Sequence, residues 1–238
     1  MNIVIFGGSG GIGSAIVKRV NKVYPDANVF ATWHSRVPVD ESIANWSRVN
    51  LLSQESICDF ASRFSSVHWL INAAGMLHTD LQMPEKSVQQ IEADFFMNNV
   101  QLNALPALLI ARYFKPALKS ACSDGSTVQF ATVSAKVGSI EDNKLGGWYS
   151  YRCSKAALNM AIKTISIEWQ RSIPSVCVTA VHPGTTETAL SEPFQRNVPE
   201  GKLFTPDKAA DYITTLLSQL TAKDSGKFLA YDGEELPW

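Results

Sequence analysis

Apolar and polar positions along this chain follow two alternating periods. Residues 2–6 form a short unbroken apolar run, as in a strand buried on both faces. After a glycine cluster the period lengthens: Ile12, Ile16, Val20 and Val23 share one helical face, and Lys18, Arg19 and Lys22 share the other. Tyr24-Pro25-Asp26 ends that helix. Further strands are predicted over 28–32, 47–51, 67–71, 127–133, 175–181 and 227–231, the second of these the weakest. Helices are predicted over 54–64, 92–119, 146–170 and 205–221, the last with Pro206 near its start.

Strands that alternate with helices imply βαβ units. The expected fold is therefore α/β, a Rossmann-type, doubly wound parallel sheet of about seven strands flanked by helices. No repeat, low-complexity run or linker-like shift divides the sequence, so residues 1–238 are read as one domain. Ligands of such sheets bind beyond the carboxyl ends of the strands. The polar and glycine clusters fall there: Gly7 to Gly13 after the first strand, Asn72-Ala73-Ala74-Gly75 after the fourth, Ser134 after the fifth, His182-Pro183-Gly184 after the sixth.

Gly7, Gly11 and Gly13 have the spacing GxxxGxG, with Ile12 opening the helix between the last two. Glycines there let the backbone turn tightly and approach a pyrophosphate, and the helix N-terminus offers N–H groups and partial positive charge. Ser9 adds a hydroxyl donor. An isolated glycine turn is no more than flexible chain; its place between a strand and an amphipathic helix makes it a dinucleotide site. The second strand ends Ala31-Thr32-Trp33-His34-Ser35-Arg36, without the carboxylate that would bind a ribose 2'-hydroxyl. Arg36, helped by His34 and Ser35, suits a 2'-phosphate instead. NADP(H) is thus the expected cofactor, with NAD(H) left open.

Tyr151 and Lys155 are four residues apart, on one face of a predicted helix. A lysine ammonium favours the phenolate and lowers the tyrosine pKa, which equips the hydroxyl to exchange a proton with an alcohol or alkoxide. The spacing alone is weak; its position after the fifth strand, with Ser134 seventeen residues earlier, strengthens it.

Composition narrows the classes. Of 238 residues, 45% are hydrophobic and 18% charged, so the chain is globular, and a net charge of -1 calls for neither nucleic acid nor membrane. Cys58, Cys122, Cys153 and Cys177 are widely spaced and read as thiols of a reducing cytoplasm. His34, His68 and His78 are scattered, so no metal is expected. The N-terminus reads as a strand rather than a signal peptide.

Together, in this order and at these separations, the glycine turn, Asn72 to Gly75, Tyr151 with Lys155, and Pro183-Gly184 resemble the short-chain dehydrogenase/reductase family across nearly the whole chain. Gly138-Ser139-Ile140, Gly146-Gly147-Trp148-Tyr149 and the ending Asp232-Gly233 to Pro237-Trp238 more narrowly resemble its C-factor branch. The resemblance implies Tyr151 as general acid/base and Lys155 as ligand of the nicotinamide ribose. It implies Ala73, Ala74 and Gly75 beside the adenosine, Asn72 steadying the sheet, and Asn50 and Leu51 near the adenine. Pro183, Gly184, Thr186 and Thr188 would line the nicotinamide. Asn103, rather than Asn98 or Asn99, would hold a water beside the lysine. The long helices over 92–119 and 148–170 would join subunits into a homodimer or homotetramer.

The sequence departs from the family in three places. Phe6 replaces a threonine before the first glycine, Asn50 replaces an aspartate, and the serine motif is offset. In Ser134-Ala135-Lys136-Val137-Gly138 the family's catalytic serine place holds Ala135. Ser134 is the preferred substitute, through an irregular strand end, and Ser139 the alternative. The expected activity is hydride transfer between NADP(H) and a carbonyl or secondary alcohol, carried by Asn103, Ser134, Tyr151 and Lys155. The rival is a non-catalytic dinucleotide-binding sensor or C-factor-like signalling protein. A sugar-nucleotide epimerase is disfavoured because little chain follows the last strand. Residues 185–204 are the expected substrate lid.

Overall fold

The computed structural model describes residues 1–125 and 127–238. In chain order the elements are β1 (Asn2–Phe6), α1 (Gly11–Val23), β2 (Asn28–Trp33), β3 (Asn45–Arg48), α2 (Gln54–Ala61), β4 (Trp69–Asn72), α3 (Ala93–Asn103), α4 (Leu105–Ala121), β5 (Val128–Val133), α5 (Tyr149–Ser172), β6 (Val176–His182), β7 (Thr185–Thr186), β8 (Leu203–Phe204), α6 (Pro206–Gln219) and β9 (Phe228–Ala230). Seven strands form one sheet in the order β3-β2-β1-β4-β5-β6-β9, and every pairing is parallel. The chain winds outward from β1 to β3, then returns through α2 to β4 on the other side of β1. A switch point between β1 and β4 leaves a crevice at their carboxyl ends.

Alternation along each strand sends side chains to two cores. Val4, Phe6, Leu70, Phe130 and Val178 pack beneath α2, α4 and α5 against Ile57, Phe114 and Ile162. Ile3, Ile5, Ile71 and Val181 pack on the other face against Ile16 and Val20 of α1 and Ile213 and Leu217 of α6. Both faces of the central strands are buried, which is why these segments read as continuous apolar runs.

The helix expected over 92–119 is two helices meeting at Ala104 (φ -111°). Pro106 has no N–H to give the carbonyl four residues back, so the helical ladder breaks just after Asn103. Strand β3 ends at Arg48, before the expected stretch does. Asn50 turns the chain there: its Oδ1 accepts from Leu52 N (3.0 Å) and its N donates to Ser56 Oγ (3.0 Å). The expected lid is partly structured. Strands β7 and β8 pair at its base, and Glu192–Asn197 form a 3-10 helix.

Candidate active site

The carboxyl edge of the sheet holds a cavity of about 390 Å³. The N-terminus of α1 opens onto it through Gly10, Gly11 and Ile12. Three glycines build this corner. Gly7 has φ +72°, and a Cβ there would meet Ala74 N at 2.9 Å. A Cβ on Gly13 would meet Gly7 O at 2.1 Å, so only glycine lets helix and strand approach this closely. A Cβ on Gly11 would meet Thr188 Cγ2 at 2.5 Å. Cap residue Gly10 offers no side chain to the first helical N–H groups. This bare helix terminus, walled by glycine, fits a dinucleotide pyrophosphate.

Around this corner, Ala73, Ala74, Gly75, Pro183, Gly184, Thr186 and Thr188 all reach the cavity wall, as does Arg36. Asn72 lies behind it, buried, its Oδ1 accepting from Ala74 N (3.2 Å). His34 is exposed and Asn50 and Leu51 stand off the wall, as does Ser9.

Tyr151 and Lys155 occupy the first two turns of α5, 7% and 3% exposed. Glu85 anchors this helix start: its buried carboxylate accepts from Ser150 N (3.1 Å) and Ser150 Oγ, and its carbonyl from Trp148 N (2.5 Å). Gly146, Gly147 and Trp148 all carry positive φ (65°, 67° and 52°), a reversal that aims the Trp148 ring into the pocket. That ring lies 4.7 Å from Phe194 of the lid and 6.3 Å from Tyr151, centroid to centroid.

Lys155 Nζ donates to Val133 O (3.0 Å) and stands 5.8 Å from the Tyr151 ring centroid. Two backbones press on this lysine. A Cβ on Gly75 would meet its Nζ at 3.5 Å and Asn103 Oδ1 at 3.3 Å, and one on Gly138 would meet its Cβ at 2.7 Å. Asn103 clamps the Gly75 turn: its Oδ1 accepts from Met76 N (2.7 Å), and its Nδ2 donates to Met76 O (2.8 Å) and Ser154 Oγ (2.8 Å). The expected lowering of the tyrosine pKa is corrected here. Burial pushes the Tyr151 hydroxyl above its ordinary value and pushes Lys155 down to about 8, because both charged forms lose water.

The serines take other partners. Ser134 is on the wall, but its Oγ donates to Asn159 Oδ1 (2.6 Å), two turns along α5 from Tyr151. Ser139 is buried off the wall, donating to Trp238 O (3.2 Å) and accepting from Asp142 N (3.1 Å). Thus the alternative serine does not face the cavity, and Ala135 does. Glu85, Gly138, Asn159 and Trp148 were not singled out by the sequence as site residues. Only the glycine four residues after Ser134 and the Gly-Gly pair before Trp148 gave a local signal.

The short chain dehydrogenase family model matches residues 1–199. A 1-hydroxy-2-glutathionyl-2-methyl-3-butene dehydrogenase of Rhodococcus sp. (strain AD45) is 31% identical over 80% of this chain and 78% of its own. The C-signal protein of Myxococcus xanthus is 33% identical over 58% of this chain and 75% of its own. A carbonyl reductase from chicken fatty liver, solved with NADPH bound, superposes with a TM-score of 0.86 at 25% identity, covering 100% of this chain and 94% of that one. With a family match over most of its length and this fold beneath it, the chain belongs to the short-chain dehydrogenase/reductase family, whose members are oxidoreductases.

Proposed function

We propose that this protein is an NADP(H)-dependent reductase of small apolar carbonyl compounds, reversible toward the secondary alcohol. The observation that carries the reading is one cavity containing the bare N-terminus of α1, the Arg36 side and the Tyr151–Lys155 pair. NADP(H), when bound, supplies or accepts the hydride. Gly7, Gly11 and Gly13 make room for its pyrophosphate. Arg36 answers the 2'-phosphate, with no carboxylate between residues 31 and 36 to repel it. The chicken carbonyl reductase binds NADPH, in keeping with this choice.

The protein's own chemistry is proton handling. A raised pKa keeps the Tyr151 proton in place until an alkoxide forms beside it, which suits Tyr151 as general acid in reduction. Lys155, still largely protonated at neutral pH, then offsets the charge left on the phenolate. Asn103 holds the Gly75 turn against Lys155 and acts as a positioning residue. Trp148, Phe194 and Leu190 give the substrate end apolar walls.

The test is NADPH and NADH binding, followed by NADPH oxidation against a carbonyl panel with Tyr151→Phe as control. Tighter NADPH binding and a kcat lowered about 100-fold or more in Tyr151→Phe are expected. The identity with the C-signal protein favours a second reading, a dinucleotide-binding signalling protein. Cofactor binding with no turnover, and no difference between wild type and Tyr151→Phe, would select it. For assembly, the exposed apolar residues Met97, Leu105 and Leu108 of α3–α4 and Met160 and Ile167 of α5 are the surface we assign to a second copy of the chain.

A further inference from the structure

Pro237-Trp238, part of the resemblance to the C-factor branch, lies off the cavity wall. Its contacts are elsewhere. After β9 the chain turns at Gly233 (φ +89°) and runs back along the strand: Ala230 N donates to Glu234 O (2.8 Å) and Leu236 N to Phe228 O (2.8 Å). Leu236 is buried. The Trp238 ring stacks on Phe228 with centroids 5.6 Å apart and planes at 27°, and Lys163 Nζ stands 5.6 Å from its centroid. These contacts fix the main-chain oxygen of Trp238.

Three donors converge on that oxygen: Ile140 N (3.1 Å), Glu141 N (3.3 Å) and Ser139 Oγ (3.2 Å). They belong to residues 139–146, which form neither helix nor strand and expose Ile140 (79%) and Leu145 (91%). Beyond the adjoining turn at Lys136–Gly138, every hydrogen bond that leaves this segment among the described residues ends on Trp238. A segment that buries so little apolar surface opens readily unless its backbone is held.

Both flanks of the segment are cavity wall. Lys136 and Val137 precede it, and a Cβ on Gly138 would meet Lys155 Cβ at 2.7 Å. Trp148 and Tyr151 follow it. Arg152 ties the flanks to each other, its Nε donating to Gly147 O (3.0 Å) and its Nη1 to Val137 O (3.2 Å). Trp238 ties the segment between them to β9, and so to the sheet.

We propose that Trp238 is a positioning residue: its hold on residues 139–146 sets the Val137 and Trp148 walls against which a carbonyl substrate lies as it meets Tyr151. The catalytic consequence rests on the reductase reading; the hold itself does not. Ser139 thereby has a use, as a donor to Trp238 rather than to substrate.

Hydrogen exchange at the Ile140 and Glu141 amides reads the hold without turnover, and NADPH oxidation with acetophenone reads its consequence. In Trp238→Ala both amides exchange about tenfold faster, while those of β5 are unchanged. KM for acetophenone rises about tenfold and kcat falls less, with NADPH affinity within about twofold of wild type. Trp238→Phe, which keeps a ring on Phe228, stays near wild type in both readouts. Ser139→Ala removes one of the three donors and moves both readouts the same way by about threefold, and it carries the test if Trp238→Ala does not fold. Wild-type exchange in the two Ala variants overturns the hold. Faster exchange with a wild-type KM overturns the positioning role, as does an equal loss of acetophenone and NADPH binding, or a Phe variant as impaired as Trp238→Ala. The two readings fail separately: faster exchange in Trp238→Ala of a protein whose wild type oxidises no NADPH keeps the hold and removes the reductase.

Discussion

Phe6 stands where the family places a threonine, and its surroundings explain the exchange. Its ring is buried, edge-on to Phe60 and Phe114 with centroids 5.6 Å away in each case. The hydroxyl lost from that position is met from the next strand, where Thr32 Oγ1 accepts from Gly7 N (3.2 Å). Lys155 tells the opposite story, a residue kept at the expense of stability. Its folded pKa of about 8 lies below the ordinary 10.5, so the folded state disfavours the charged form. The penalty is complete below pH 8 and is relieved as the pH rises from 8 toward 10.5. Lys155→Met is therefore expected to abolish turnover yet raise stability at pH 7, by on the order of 2 kcal/mol after loss of the bond to Val133 O. Thermal melts across pH 7 to 10 would check this; a gain that fails to shrink as the pH rises contradicts it. The Tyr151–Lys155 pair was legible in the sequence because helical spacing is local. The direction of the Tyr151 shift was not, because burial depends on everything packed around it.

At the scale of elements, the decisive feature is the entry to α5. Three consecutive left-handed residues and the Glu85 carboxylate fix where the helix begins, and so where Tyr151 points. A carboxylate at a helix N-terminus is favoured by the exposed N–H groups and the helix dipole. Glu85→Ala should lower stability by about 2 kcal/mol and reduce kcat more than NADPH affinity. Glu85→Gln, which keeps one acceptor, should recover part of each. Equal melting temperatures for wild type and Glu85→Ala would refute the anchoring role. The contact joins residues 65 positions apart, so no window of sequence could reveal it. The break between α3 and α4 was within reach, since Pro106 announces it, but the apolar period runs on across the break and concealed it.

For the whole molecule, the helix that carries Tyr151 exposes Met160 (66%) to solvent, and α4, which follows directly on the Asn103 end of α3, exposes Leu108 (44%). Light scattering is expected to give the mass of a dimer or tetramer, and Leu108→Glu with Met160→Glu should lower it. A monomeric wild type would remove the assignment of that surface. The sequence by itself determined the order of strands and helices, the parallel sheet and the glycine turn. These rest on hydrophobic period and backbone freedom, which neighbouring residues set among themselves. Which serine faces the cavity was decided only by the tertiary structure. So were Glu85's hold on the helix start and Trp238's hold on residues 139–146. Each depends on packing between segments distant in the chain, and a hydroxyl or carboxylate takes its role from the partner that folding brings to it.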